Sequence, residues 1–148
     1  MTQDGPRVLE FNARFGDPET QVYLMRLESD LVELFSACVD GTLADSTLEW
    51  SSRSAVCVVM ASGGYPESYE KGKVISGLAD ANGMPGVTVF HAGTKLVGGD
   101  IVTSGGRVLG VTALGDDLVA ARAAAYSAVE RISFEDAHFR RDIGAKAF

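Results

Sequence analysis

A carboxylate and an amide two residues apart, Glu10 and Asn12, with Arg14 two further on, make up the constellation in this sequence whose types and spacing best suit chemistry. Polarity alternates here: Leu9, Phe11, Ala13 and Phe15 fall on one side and Glu10, Asn12 and Arg14 on the other, the pattern of a half-buried strand. Alternate residues of a strand have Cα atoms roughly 6.5–7 Å apart, so the Glu10 carboxylate and the Asn12 amide oxygen could both reach one cation between them. Hard oxygen donors of this kind suit magnesium or manganese. Gly16 can supply an unusual backbone conformation, and Asp17-Pro18 reads as an N-cap followed by proline at the first helical position, with Glu19 in the first turn. The competing reading is a surface strand whose outer face happens to carry Glu, Asn and Arg.

Such a face needs elements to hold it. Upstream, Asp4-Gly5-Pro6 is a turn signal placed directly before the strand, with only three residues ahead of it. A turn of this kind normally follows an earlier strand, so the chain reads as a C-terminal fragment that starts inside a hairpin. Its 9–15 strand would then present an exposed edge, which favours self-association through the N-terminal strand. Downstream, residues 18–27 form a first helix. Asp30 and Glu33 open a second, with Leu31, Leu34, Phe35 and Cys38 as its apolar face and Gly41 at its C-terminal cap. Residues 46–54 are polar apart from Leu48 and Trp50, a packing anchor, and lead into a second unit, with the boundary near Ser52.

The second unit is β-rich. An apolar run at 55–61 is short enough for a buried strand, Ser62-Gly63-Gly64-Tyr65-Pro66 breaks it, and further short strands fit 73–76, 87–91, 95–97, 101–103 and 107–112 between glycine-containing turns. Asp116 or Asp117 then caps a helix reaching about Arg131, whose apolar face is Leu118, Ala121, Ala125, Val129 and Ile132. The expected class is α+β: a strand with two helices, then a small, mostly antiparallel sheet or barrel with a packed C-terminal helix. The tail from 134 to 148 carries His138, Arg140, Arg141 and Asp142 without a helical stripe.

At 46% hydrophobic content over 148 residues, the chain can bury a core of its own. A net charge of −7 argues against a broad nucleic-acid or anionic-membrane surface and leaves a local anion site open. Cys38 and Cys57 sit in apolar surroundings without metal-ligand spacing and are expected to be buried, reduced thiols, which suits a cytoplasmic protein. No apolar run reaches the ~18 residues that would cross a bilayer, and the N-terminus lacks signal-peptide features. The expectation is therefore a soluble, cytoplasmic chain with no membrane or nucleic-acid partner.

Taken as a whole, the string from Val8 to Gln21 resembles the closing metal-binding segment of ATP-grasp ligases, where Glu-x-Asn on a strand holds the metal bound to ATP. The extension Arg14-Phe15-Gly16-Asp17-Pro18-Glu19-Thr20-Gln21 resembles the phosphoribosylamine–glycine ligase (glycinamide ribonucleotide synthetase) family in particular. The resemblance runs on, in order, through Ala61-Ser62-Gly63-Gly64-Tyr65-Pro66, Tyr69-Glu70-Lys71-Gly72, Ile75-Ser76-Gly77-Leu78, Val89-Phe90-His91-Ala92-Gly93-Thr94 and Gly105-Gly106-Arg107-Val108-Leu109-Gly110-Val111-Thr112-Ala113. It ends at His138-Phe139-Arg140-Arg141-Asp142-Ile143-Gly144 and covers residue 7 onward.

The resemblance implies residues 1–52 as the end of an ATP-grasp domain and 53–148 as the C-terminal domain of the ligase. It further implies the family reaction of de novo purine synthesis: ATP, glycine and 5-phosphoribosylamine give glycinamide ribonucleotide, ADP and phosphate by way of a glycyl phosphate. Glu10 and Asn12 match the family's ligands for Mg2+ or Mn2+. Arg14, Gly16 and Asp17 lie beside them and either bind a phosphate or substrate carboxylate or form an internal Arg–Asp pair that holds the turn. Arg107 either closes a hairpin as a solvated arginine or touches phosphate. His91 and His138 are either hydrogen-bonded structural residues or bases, and Arg140 and Arg141 either face the cleft or close the tail onto the domain. The family's N-terminal domain, glycine-rich phosphate loop, nucleotide lysines and second metal carboxylate have no counterpart in these 148 residues. The chain alone is thus expected to bind ATP weakly and not to catalyse ligation, and the missing N-terminal part of the enzyme is its expected partner. The alternative is a self-standing, non-catalytic binding module.

Overall fold

The computed structural model describes residues 5, 7–8, 11 and 13–147. Two helices come first, α1 (Glu19–Arg26) and α2 (Leu31–Asp40). Asp30 caps α2, its Oδ1 accepting from the amides of Val32 at 2.7 Å and Glu33 at 3.3 Å, and Gly41 ends it in the left-handed conformation. Trp50 lies opposite Leu27 in an antiparallel bridge, and the Ser51 amide donates to the Arg26 carbonyl at 2.8 Å, so the connector folds back along the end of α1.

The remainder is built on an open antiparallel sheet. β1 (Ser54–Ala61) and β5 (Arg107–Gly115) run through its centre with Val58 opposite Val111; β2 (Val87–His91) flanks β5 and the short β6 (His138–Phe139) flanks β1. β3 (Thr94–Val97) and β4 (Asp100–Thr103) form a separate hairpin, and α3 (Leu78–Asn82) precedes β2. Strand period decides the layering. Val56, Val58 and Met60 of β1 join Leu109, Val111 and Ala113 of β5 and Val87 and Val89 of β2 in one core, covered by α4 (Leu118–Val129). Buried alanines at 121, 125 and 128 let α4 lie close on the sheet, and Asp117 caps it by accepting from the Ala120 amide at 2.7 Å. The opposite face carries Cys57 and Gly110 and receives Gln21 of α1.

Of the antiparallel sheet or barrel expected, the structure has an open sheet, which β2 and β6 end on either side. Other sequence expectations are corrected. Among the described residues of 9–15, none belongs to a strand, and Phe11, expected on a buried face, is 90% exposed; an extended segment needs a hydrogen-bonding neighbour, and residues 11 and 13–15 have none. Residues 73–76 form no strand, only isolated bridges from Val74 to Val102 and from Ser76 to Ser133. Cys38 is exposed on α2, and Cys57 alone of the two free thiols is buried. Asp17 is not an N-cap: α1 begins at Glu19 behind Pro18, and the Asp17 carboxylate is committed elsewhere.

Apolar side chains are distributed unevenly. Val8, Phe11, Val32 and Val39 stand exposed in the first fifty residues, while the core between the sheet and α4 is buried. Phe15 packs on Phe35 at a centroid distance of 6.2 Å, on the rim of a groove of about 280 Å³ between α1, α2 and Trp50, with Leu24, Leu27 and Leu34 along its floor. No helix among the described residues is long and apolar enough to cross a membrane.

Candidate functional site

Glu10 and Asn12 lie outside the described residues, so the structure bears on the site through Arg14, Gly16, Asp17 and what they touch. Arg14 is exposed and its Nη1 donates to the Phe15 carbonyl at 3.0 Å. The Gly16 carbonyl accepts from the Thr20 amide at 3.1 Å and also from the Thr20 hydroxyl, which starts α1 without a side-chain N-cap. Asp17 is the hub. Its Oδ2 lies 3.2 Å from Nη2 of Arg107, its carbonyl accepts from Nη1 of the same guanidinium at 2.9 Å, and its Oδ1 accepts from Gln21 Nε2 at 3.3 Å. The partner of Asp17 is therefore Arg107, ninety residues away, and not the neighbouring Arg14. The reading of an internal Arg14–Asp17 pair is corrected, and so is that of Arg107 as a solvated hairpin arginine.

The local fold explains how Arg107 gets there. It opens β5 directly after Gly105-Gly106, and Ser62, just past β1, ties that turn down: its amide donates to the Gly106 carbonyl at 2.8 Å and its hydroxyl to the Gly105 carbonyl at 2.9 Å. Gly106 lies flat against the ring of Tyr65, where a Cβ would come 2.1 Å from Cδ2, so no larger residue fits there without displacing the ring. The amides of Ser104 and Gly105 donate to the Gly93 carbonyl at 2.7 and 3.2 Å. Three separate glycine-containing motifs, around residues 62–65, 91–94 and 105–107, thus meet at one end of the sheet and aim one guanidinium at the turn that precedes α1.

Beneath Asp17 sits Cys57. Burial pushes its thiol above the usual thiol range, the Asp17 charge adds to this, and the contact with Thr112 works against both. The sign follows from the direction: a pKa raised in the folded state adds stability that is complete below the unfolded value and is lost as pH rises through the folded one. At pH 8 a thiol-reactive aromatic disulfide is therefore expected to modify Cys38 at once and Cys57 at least ~100-fold more slowly. Between about pH 8 and 10, wild type should lose more melting temperature than Cys57→Ala. Equal labelling rates for the two thiols would contradict this.

Most of the other polar residues singled out by the sequence have partners within the domain. His91 Nδ1 is 2.9 Å from the Thr94 hydroxyl, and His138 sits in β6 opposite Ala61. Arg140 is paired with Asp142 at 2.6 Å, which holds the Asp142 carboxyl below its usual range, and the Arg141 guanidinium lies 4.9 Å above the Phe139 ring. Arg122 and Tyr126 of α4 bond to the backbone of 140, 141 and 143, so the arginine-rich tail closes onto the domain. Lys73 sits 2.8 Å from both Glu70 and Glu135, and these contacts raise its pKa and lower that of Glu70. Among the described residues no three His, Cys, Asp or Glu side chains could hold a metal ion.

An α+β domain whose glycine motifs and open antiparallel sheet stand beside this turn has a clear kinship. Residues 55–146 match the family model for the phosphoribosylglycinamide synthetase C domain, and the chain belongs to that family. It is 56% identical over 148 residues to the phosphoribosylamine–glycine ligase of Rhodopirellula baltica, covering 99% of this chain and 34% of that protein. To the chloroplastic phosphoribosylamine–glycine ligase of Arabidopsis thaliana it is 56% identical over 144 residues, covering 96% of this chain and 27% of the relative. The crystal structure of phosphoribosylamine–glycine ligase from Thermotoga maritima superposes with a TM-score of 0.72 at 35% identity, over 95% of this chain and 34% of that one. The chain spans about a third of the length of the relatives it matches.

Proposed function

We propose that this chain is the part of a phosphoribosylamine–glycine ligase that supplies one wall of the active-site cleft. Residues 1–52 close its ATP-grasp domain and 53–148 form its C-terminal domain. The observation that carries the reading is the match of nearly the whole chain, polar segment included, to ligases about three times its length. The apolar groove between α1 and α2 supports it as well, since exposed Phe11, Phe15 and Val39 suit a face covered by the rest of a longer enzyme.

In the complete enzyme a glycine carboxylate oxygen attacks the γ-phosphorus of ATP and ADP leaves. The amine of 5-phosphoribosylamine then attacks the acyl carbon and phosphate departs, giving glycinamide ribonucleotide. Such steps depend on positioning and on offsetting phosphate charge. The carboxylate of Glu10 and the amide oxygen of Asn12 are the hard donors that Mg2+ or Mn2+ takes, and the ion, when bound, would neutralise charge on the transferring phosphate. Arg14, two residues beyond Asn12 in the sequence, suits a phosphate or a substrate carboxylate. Two protein oxygens leave most of an octahedral shell to substrate and water, so the isolated chain binds the ion weakly and does not ligate. The free thiols Cys38 and Cys57 suit a reducing compartment, and the cytoplasm is the proposed one.

A non-catalytic module would gain nothing from a Glu10-x-Asn12-x-Arg14 face, which favours the ligase. A purine auxotroph lacking this ligase tests the choice. Growth without purines should be restored by the chain joined to the family's N-terminal two-thirds, and by neither part alone. Failure of a well-folded, well-expressed fusion to support growth would favour the module.

A further inference from the structure

We infer that Arg107 is a positioning residue of the ligase, holding the metal-binding segment in register through Asp17, so that the C-terminal sheet helps to shape the active site. The geometry is specific. One guanidinium spends two nitrogens on one residue, Nη1 on the Asp17 carbonyl and Nη2 on its carboxylate, and Gln21 Nε2 fixes the other carboxylate oxygen. The backbone of residue 17 is therefore gripped directly, as well as its side chain. Asp17 stands five residues beyond Asn12 and three beyond Arg14, in the turn where the segment gives way to α1. Among the described residues of 11–15 none has a neighbouring strand, and the Arg107–Asp17 clamp ties this end of the segment to β5 beside the packing of Gln21 of α1 on Gly110.

The other end of the clamp is rigid. Arg107 opens β5, one of the two central strands, and the turn before it is fastened by Ser62 to the end of β1 and by the Gly93 carbonyl to the end of β2. Lysine at 107 would keep the charge and lose the planar fork that reaches carbonyl and carboxylate together. The guanidinium and the carboxylate are each about two-fifths exposed, so the pair is a modest contributor to stability and a better one to geometry. An arginine spent in this way on Asp17 is not aimed at substrate.

The inference rests on the ligase reading for its kinetic consequence, and the test has an arm that does not. In the 148-residue chain itself, hydrogen exchange is measured at the amides of 16–21 for wild type, Arg107→Ala, Asp17→Ala, the double variant and Arg107→Lys. Arg107→Ala is expected to speed exchange at the Thr20 amide about ten-fold, with Arg107→Lys close behind and the double variant no faster than the faster single. In the assembled ligase, Arg107→Ala should lower kcat roughly 10–100-fold, the cost of losing a group that orients a metal ligand. Raising Mn2+ should recover part of that loss, which a purely structural defect would not show. Unchanged exchange in Arg107→Ala would overturn the proposal. So would kinetic losses that multiply in the double variant with KM rising for phosphoribosylamine alone, since Arg107 would then be touching substrate. An inactive wild-type assembly with the expected exchange pattern would sink the ligase reading and leave the clamp standing.

Discussion

Replacing Glu10 with alanine in the assembled ligase is expected to lower kcat by on the order of 10²–10³-fold, the scale of losing one well-placed electrostatic group at a transferring phosphate. Mg2+ requires near-octahedral oxygen coordination and gives up its water reluctantly, so a shell built from few protein donors depends heavily on each. Glu10→Gln keeps an oxygen at the same reach without the charge. It should retain more activity than alanine while needing a higher concentration of divalent cation for half-maximal rate. Asn12→Ala should behave like Glu10→Ala, and the two together should cost little more than either, because both act on one ion. Steady-state rates measured across a Mg2+ and Mn2+ titration check this. A Glu10→Ala enzyme with unchanged kcat and unchanged metal dependence would remove Glu10 from the site.

The second large effect concerns folding. Gly77 has φ of +80°, and a Cβ there would come 1.8 Å from the Arg131 carbonyl oxygen, a backbone atom that cannot swing away. Its neighbour Ser76 exchanges two backbone hydrogen bonds with Ser133, at 2.9 and 3.1 Å, so relief of the clash would pull this bridge apart. Gly77→Ala should therefore cost about 4 kcal/mol: roughly 1–2 for the left-handed backbone and the rest from the clash and the strained bonds. For a chain of this size that corresponds to a fall in Tm of roughly 8–16 °C. Gly98 is the control. Its φ is +59° with open space where a Cβ would stand, so Gly98→Ala should lose only the conformational part, about 1 kcal/mol or a few degrees. Thermal melts of the two variants within 2 °C of each other would show that the close approach at Gly77 does not matter.

Legibility from sequence followed the range of the interactions involved. The strand at 55–61, the helix face Ala121, Ala125, Val129 and the caps at Asp30 and Gly41 are written in local periodicity and turn chemistry, and the structure has them, with Asp117 rather than Asp116 as the cap of α4. The partner of Asp17 was not legible. Asp17-Pro18 is a good local N-cap signal, yet a guanidinium delivered from ninety residues away takes the carboxylate, and nothing in local spacing announces Arg107. Residues 73–76 alternate like a strand but find only single bridges on either side, so pairing, which is non-local, overrides pattern. Cys38 fell on an apolar helical face that has no cover here, and the β6 dipeptide His138–Phe139 is too short to show a period. The fold was thus readable where contacts are local, and the site only as far as its motif.

Isotopically labelled glycine tests most directly whether this chain serves glycine ligation in a longer enzyme. The chain joined to the family's N-terminal two-thirds is incubated with ATP, labelled glycine and phosphoribosylamine, and the products are followed by mass spectrometry together with ADP. Labelled glycinamide ribonucleotide is expected in one-to-one ratio with ADP, and none from the 148-residue chain alone. ADP release without labelled product, or no turnover from a folded assembly, would contradict it.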